Sequence, residues 1–378
     1  MTKILHIPNY YPPHIGGIED VCHNIVAGLP EIRHIVICFN DKTKTEDSLY
    51  EGIRIVRCGV WKKLFRQSVS LTFLKELKNI LDEYKPDIVH FHTPNPLISL
   101  YLLMTIPENV KLVLHWHSDI VEQGFLYEFY RPIEKRLLRR ADRILTTSAT
   151  YIDGSRPLLS WKNKLQIIPN TVNVSKLIPK KEDLTRIEKI REKYGYRKIL
   201  FTFGRHVHYK GLLYLLEAVP KISEDAVVVV AGKGPLSEKL ETSCNAPNVY
   251  FPGILSDDEL RCYLYASDIF LFPSITRNEA FGIALAEAMY CGLPAVTFTI
   301  PASGVNWVSI NGKTGIEVEN RNSQAFAEAI DCLLADEKLR RTMGENAACR
   351  AREFFLTEVI KGDLMELYDH LNERQKNL

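Results

Sequence analysis

The sequence predicts an α/β protein made of two doubly wound units, each a parallel sheet with helices on both faces. Three observations carry that expectation. The chain has 378 residues, too many for one typical domain and suited to two. Short apolar runs alternate with stretches of helical spacing, the pattern of a parallel sheet covered on both sides. The alternation breaks once, over a polar segment, and then restarts.

Lys3 to Ile7 opens as a strand. The loop from Pro8 to Gly17 follows, and Ile18 to Leu29 has helical spacing. Further strands are predicted over Ile35 to Phe39, Ile53 to Arg57, Asp87 to Phe91, Leu112 to Trp116 and Arg143 to Thr147. Helices are predicted between them over Leu71 to Tyr84 and Tyr127 to Arg140. Leu97 to Ile106 lies between Pro96 and Pro107 and reads as a buried helix. It is too short for a membrane span, which needs roughly 18 apolar residues. Ile167 to Asn170 ends the last strand of the first unit. Thr171 to Thr185 is polar, bears Lys and Pro, and shows no clear period, so the boundary is placed there. The expected division is residues 1–170, 171–353 and a final helix over 354–378.

After the boundary, strands are predicted over Lys198 to Phe203, Ala226 to Ala231, Val249 to Phe251, Ile269 to Phe272 and Ala295 to Phe298. Helices are predicted over Gly211 to Lys221, Leu236 to Thr242, Asp257 to Tyr265 and Phe281 to Cys291. From Ser323 onward the chain reads as mostly helical. Ala141-Asp142 leads into a strand ending near Ser148, and Ala266-Ser267-Asp268 into one ending near Ser274. This short echo agrees with two units of one design.

Composition removes several classes. Lys plus Arg number 48 against 46 Asp plus Glu, a net charge of +2, which gives no whole-molecule drive toward nucleic acid. The N-terminus lacks a signal-peptide core, so a cytoplasmic location is expected. The eight cysteines contain no C-x-x-C pair and read as buried thiols in a reducing compartment.

Ligands of open α/β sheets bind beyond the carboxyl ends of the strands. Two facing units would therefore hold a ligand in the cleft between them. The residues just after strands are the ones to inspect. Arg277 to Ala288 carries two carboxylates eight residues apart, Glu279 in a loop and Glu287 in the second turn of a helix. The free N–H groups from Ala280 through Phe281 and Gly282 to Ile283 lie between them and suit a phosphate. Carboxylates suit sugar or ribose hydroxyls. Acidic residues also simply favour a helix start. Arg205 and Lys210 lie five apart in a loop that leads into a helix. They could clamp a diphosphate or be ordinary solvated cations. Gly232 and Gly234 form a G-x-G-P turn that would let backbone pass close to a nucleotide. Gly16 and Gly17 offer N–H groups to an anion. His117, beside Ser118 and Asp119, could orient a sugar or relay a proton. His90, His92, His115 and His117 crowd two neighbouring strands, but no H-x-x-x-H or H-E-x-x-H spacing points to a metal, and none is expected.

In this order, these motifs resemble those of the retaining glycosyltransferases of family 4, which have the GT-B fold. Among them, the His-Trp-His-Ser-Asp run looks most like bacterial surface-polysaccharide mannosyltransferases. The resemblance covers essentially the whole chain, from Pro12-Pro13 and Gly16-Gly17-Ile18-Glu19 to the Glu279/Glu287 pair. It implies that Arg205 and Lys210 neutralise the diphosphate of a nucleotide-sugar donor. Glu279 would hold hydroxyls of the donor sugar, with the following amides on phosphate, and Glu287 would hold the ribose. Gly16 and Gly17 would close over the phosphate, and His117 would sit by the sugar, near its 6-position. A C-terminal helix from about Phe354 to Leu371 would cross back to the first domain. Retention through a front-face route is implied by the family alone. His115 and His117 flank Trp116 where many relatives have one His and a small residue.

GDP-mannose is the first donor expected, with UDP-glucose or UDP-N-acetylglucosamine next, and the acceptor is a saccharide or lipid-linked saccharide. No D-x-D occurs, and no metal or other cofactor is expected. Arg131, Lys135, Arg136, Arg139, Arg140 and Arg143 form one basic cluster, opposed by Glu134 and Asp142. Lys62, Lys63 and Arg66 interleave with Trp61, Leu64 and Phe65. Both clusters suit an anionic membrane surface or are solvated basic faces. A nucleotide-sugar epimerase and a non-catalytic sugar-binding protein are the competing readings. A nicotinamide dehydrogenase is weaker, since no strand is followed by G-x-G-x-x-G.

Overall fold

The structure is a computed structural model of the 378-residue chain. It describes all residues except 15, 65–66, 121–123, 224 and 377–378, together with the side chains of 64, 124–126 and 374–376. Phe65, Arg66 and the side chain of Leu64, all named in the second basic cluster, lie outside the described residues.

The chain divides into two units, Met1–Asn170 with Thr357–Leu378, and Thr171–Leu356. In the first, strands β1 (Lys3–Ile7), β2 (Arg33–Phe39), β3 (Glu46–Tyr50) and β4 (Ile53–Cys58) are followed by a hairpin of β5 (Lys62–Leu64) and β6 (Gln67–Val69). Then come β7 (Ile88–Thr93), β8 (Lys111–Trp116), β9 (Arg143–Thr146) and β10 (Leu165–Ile167). Apart from the hairpin they form one sheet in the order β10-β9-β8-β7-β1-β2-β4-β3, parallel except at the β3 edge. The second unit holds β11 (Lys198–Phe203), β12 (Ala226–Ala231), β13 (Val249–Gly253), β14 (Ile269–Phe272), β15 (Ala295–Phe298) and β16 (Gly315–Val318), in the order β13-β12-β11-β14-β15-β16. Each sheet winds outward in both directions from a central strand. The winding reverses between β1 and β7 in one unit and between β11 and β14 in the other. Each unit is thus the doubly wound parallel sheet expected from the sequence.

Side-chain alternation explains why these runs form covered strands. All six residues of β12, Ala-Val-Val-Val-Val-Ala, are buried. Val227 and Val229 join one apolar core with Ile199, Phe201 and Phe270. Val228 and Val230 join a second with Leu200, Ile269 and Phe298. The two-residue period sends alternate side chains to opposite faces.

The echo between the halves has a structural basis. Asp142 donates its N–H to Leu112 O at 2.8 Å, and its carboxylate accepts from Leu112 N at 2.8 Å. Asp268 makes the same reciprocal pair with Ile199, at 2.8 and 2.9 Å. Asp87 repeats it with Lys3, at 2.9 and 2.7 Å. In each case an Asp just before a strand satisfies the first backbone groups of its neighbour, which would otherwise be left unpaired.

Several expectations are corrected. Glu46–Tyr50, the hairpin and Gly315–Val318 form strands where none was predicted. The helix Asp183–Lys193 begins inside the segment read as irregular. The helix Pro96–Thr105 is only partly buried, with Leu100 and Met104 exposed. Of the cysteines, Cys332 and Cys349 are exposed rather than buried. The long C-terminal helical stretch breaks at Phe355. The helix Glu337–Phe354 stays in the second unit, and Thr357–Lys376 packs in the first against the helix Gly17–Gly28. Lys361 pairs there with Glu31 at 2.8 Å. Among the described residues no helix is long and apolar enough to cross a membrane.

Candidate active site

In the second unit, the loop after β11 and the loop after β14 leave the sheet at its reversal point, where such sheets bind ligands. Lys210 comes from the first loop and Glu279 from the second. Their side chains meet in a close ion pair, 16% and 12% exposed. Burial works to lower the Lys210 ammonium, but the Glu279 carboxylate, with Tyr209, outweighs it and holds the ammonium above its ordinary range. The same Nζ lies 5.0 Å from the centre of the Phe272 ring, so an apolar wall stands behind the charge. Ser274, fully buried at the end of β14, donates its hydroxyl to Glu279 Oε2 at 3.2 Å. Ser303 donates to the Glu279 carbonyl, and Gly304 N donates to Ala280 O at 2.9 Å. The loop carrying Glu279 is therefore clamped from two sides. Sequence reading missed Ser303 and its neighbour, which come from a loop 24 positions away with no local pattern to flag them.

Gly282 caps the helix Ile283–Tyr290 with φ 89°, a left-handed backbone that side chains disfavour. The first helical hydrogen bond runs from Ala286 N to Gly282 O, so the N–H groups of Ile283, Ala284 and Leu285 have no partner within the helix. Ala280 and Phe281 are buried, and Phe281 packs on Phe355 and Trp307. Their side chains belong to the core. Glu287 is half-buried in the second turn. Arg205 is exposed and makes no ion pair with any described residue.

Gly232 and Gly234 have a structural reason of their own. A Cβ on Gly232 would lie 1.9 Å from Gly204 O, and one on Gly234 would lie 2.5 Å from His206 O. The loops after β11 and β12 pack against each other, tied by His206 N to Lys233 O at 3.2 Å. The close approach is to protein backbone.

In the first unit, Gly16 and Gly17 start the helix Gly17–Gly28. The Glu19 carboxylate folds back on them, 2.2 Å from where a Gly16 Cβ would stand, so a carboxylate of the chain itself occupies that helix end. His117 is buried, stacks on His115 at 4.3 Å, and shares a 3.0 Å hydrogen bond with His92. Burial, and then His115, push its imidazole well below the ordinary range. Asp119 does not serve as its orienting carboxylate. It accepts from Trp116 Nε1 at 2.8 Å and Ser155 Oγ at 2.7 Å, anchoring the loop. Nearby, Glu134 is buried and accepts from Tyr127 OH at 2.6 Å. Burial raises its carboxyl to about 7, against the lowering effect of that hydrogen bond. Of the basic cluster, Arg131, Lys135, Arg136 and Arg139 are exposed. Arg140 is engaged with the carbonyls of Pro107 and Val110 and with Asp142. Trp61, Lys62 and Lys63 are exposed, and so is Phe129.

Residues 15–176 match the family described as Glycosyltransferase Family 4, and residues 183–350 the one described as Glycosyl transferases group 1. The O-antigen chain mannosyltransferase C of Escherichia coli is 30% identical over 377 residues, covering 98% of this chain and 99% of that protein. The D-rhamnosyltransferase WbpZ of Pseudomonas aeruginosa is 32% identical over 359 residues, 93% of this chain and 92% of its own. Among solved structures, the sucrose-phosphate synthase of Thermosynechococcus elongatus superposes with a TM-score of 0.81 at 21% identity, over 98% of this chain and 99% of that one.

Proposed function

We propose that this chain, which belongs to family 4 of the glycosyltransferases, moves a hexose from a nucleotide-diphosphate sugar to a saccharide or lipid-linked saccharide. GDP-mannose is the first donor, ahead of UDP-glucose and UDP-N-acetylglucosamine. The observation that carries the reading is the Lys210–Glu279 pair beside an open helix N-terminus at the reversal point of the second sheet. A diphosphate supplies what that arrangement lacks, an anion that can draw Lys210 and the unpaired Arg205. Glu279, relieved of its cation, is then available to accept hydrogen bonds from sugar hydroxyls, and Glu287 from the ribose. The two curated relatives support the sugar class, because D-rhamnose is 6-deoxymannose and shares its configuration at C2.

In the reaction, the bond between C1 and the β-phosphate oxygen breaks as the acceptor oxygen bonds to C1 from the same face. The acceptor proton passes to the departing phosphate. Anomeric configuration is retained. Negative charge grows on the diphosphate, and cations and amides fixed beforehand stabilise it without reorganising at that moment. Lys210, Arg205 and the amides of Ile283 and Ala284 fill this role, so no divalent ion is required on the phosphates. His117, neutral and held by His92, hydrogen-bonds the transferred sugar or its acceptor. The exposed basic and aromatic residues around Trp61 and Phe129 make contact with an anionic membrane surface.

Steady-state transfer from GDP-mannose tests the assignment. Lys210→Ala and Glu279→Gln are each expected to lower turnover by at least about 100-fold while circular dichroism stays that of the parent. Near-normal turnover in both variants refutes the site. Turnover that collapses in EDTA and returns with magnesium refutes the metal-free account of leaving-group departure.

A further inference from the structure

A parallel sheet covered on both faces ordinarily presents Val, Ile and Leu to both layers. One face of the first sheet does not. His6 on β1, His90 and His92 on β7, and His115 on β8 all point to it, and all are at most 1% exposed. The parallel register sets His6 beside His90 and His92 beside His115. On the same face β2 supplies the apolar pair expected there, Val36 and Cys38.

The hydrogen bonds of these rings are lopsided. His90 Nδ1 is held by Tyr368 OH at 2.7 Å, and His92 Nδ1 by His117 Nε2 at 3.0 Å. His90 Nε2, His92 Nε2 and both nitrogens of His115 are buried with no hydrogen-bond partner among the described residues. A neutral imidazole always carries one N–H, so His115 buries an unsatisfied donor whichever tautomer it adopts. Each such group costs on the order of 1–3 kcal/mol. One nitrogen of each of His90, His92 and His115 lies within 4.8 Å of those of the other two.

We propose that His90, His92 and His115 bind a divalent transition-metal ion of borderline softness, such as zinc. The argument is that all three clustered rings bury a nitrogen with no hydrogen-bond partner among the described residues. In metal sites a ligating imidazole typically has its other nitrogen fixed by a hydrogen bond, which sets the tautomer and ring angle. Tyr368 and His117 already do this for His90 and His92. Imidazole ligands select zinc, copper, nickel or cobalt over magnesium or calcium. Zinc–nitrogen bonds of about 2.0–2.1 Å put tetrahedral ligand atoms roughly 3.4 Å apart, so nitrogens within 4.8 Å of one another need to approach only modestly on binding. Cys22, on the helix over this face, groups with His6 and His92 within the same reach. No sequence motif announces such a site, because the ligands come from separate strands brought together by pairing.

Cobalt(II) is the probe. The full chain, stripped with chelator and dialysed, is titrated with Co2+ and then with Zn2+. One saturable equivalent with the intense visible bands of a four-coordinate ion, displaced by zinc, is expected. His115→Leu sacrifices no hydrogen bond, keeps a comparable volume and should fold. It is expected to bind at least 100-fold more weakly and to lose any zinc-induced rise in Tm. A cobalt spectrum that stays that of the aqueous ion overturns the proposal, as does undiminished binding by a folded His115→Leu. If that variant fails to fold, the spectrum of the parent protein decides alone. A parent that binds no cobalt means that the rings form a neutral core satisfied by water.

Discussion

Two ion pairs of the second unit keep their charge under burial, whereas the buried imidazoles across the sheet of the first are pushed toward neutrality. Lys210 meets Glu279 at the strand ends, and Arg261 meets Asp183 at 2.6 Å with both side chains at most 2% exposed. Across the first sheet lie His6, His34, His90, His92, His115 and His117, with burial the largest cause of a lowered imidazole in every one. In the same unit the Glu134 carboxyl is pushed up by burial to about 7. Both units cover a parallel sheet on both faces, so fold alone does not dictate the choice. The difference teaches what each unit is equipped to meet. Fixed charge at a strand end can be handed to a diphosphate. Neutral imidazoles and a protonated carboxyl can exchange hydrogen bonds with hydroxyls, or bind a metal, without charge repulsion.

The comparison breaks most readily at Arg261. Asp183→Asn takes the buried carboxylate from a guanidinium that keeps only the half-exposed Asp258, at 2.6 Å, and the carbonyl of Lys176, and losing one partner of a buried pair costs about 3 kcal/mol. The Asp183 carboxyl is held well below its usual range, first by its hydrogen bond to Arg261 and against the opposing effect of burial. A depressed carboxyl stabilises the fold above its unfolded pKa, and that stability is lost as pH falls below about 4. Urea unfolding at pH 7 and at pH 3.5 is expected to show a large gap between parent and Asp183→Asn at neutral pH and a narrower one in acid. An equal gap at both pH values would contradict the charged reading of this pair.

Glu134 sharpens the other side with a smaller effect of opposite sign. A carboxyl with a raised folded pKa favours the fold in acid, and that advantage fades as pH climbs from about 4.5 to 7. The expected loss is on the order of 2–3 kcal/mol. Thermal unfolding of Glu134→Gln between pH 4.5 and 8 should be flatter than that of the parent. Parallel curves would mean that Glu134 is charged throughout, and the contrast between the units would weaken.

Much of the fold was legible because a covered parallel strand has a strong signature. The run Ala-Val-Val-Val-Val-Ala and the Asp residues that open strands can be read directly from the letters. Glu46–Tyr50 was missed because it is an edge strand with a mostly exposed, polar sequence. The helix Asp183–Lys193 was missed because its apolar positions, Ile187 and Ile190, are sparse among charges. At the candidate site, Lys210, Glu279 and Gly282 were visible as residues just after strands. Their direct pairing was not, since it depends on which strands are neighbours. Gly232 is ambiguous in the letters for a related reason, because a glycine required by close backbone looks the same whether that backbone belongs to a ligand or to the chain. The histidines were noticed as a crowd, but the roles of His6 and Tyr368 emerge only from strand register and from the return of the last helix.

Calorimetric titration with GDP, comparing the parent with Lys210→Ala and Arg205→Ala, tests the donor site most directly. A charge-assisted hydrogen bond is worth about 1.5–3 kcal/mol, so each variant is expected to bind roughly 10–100-fold more weakly than the parent. Affinity that is unchanged in both variants would show that the diphosphate lies elsewhere.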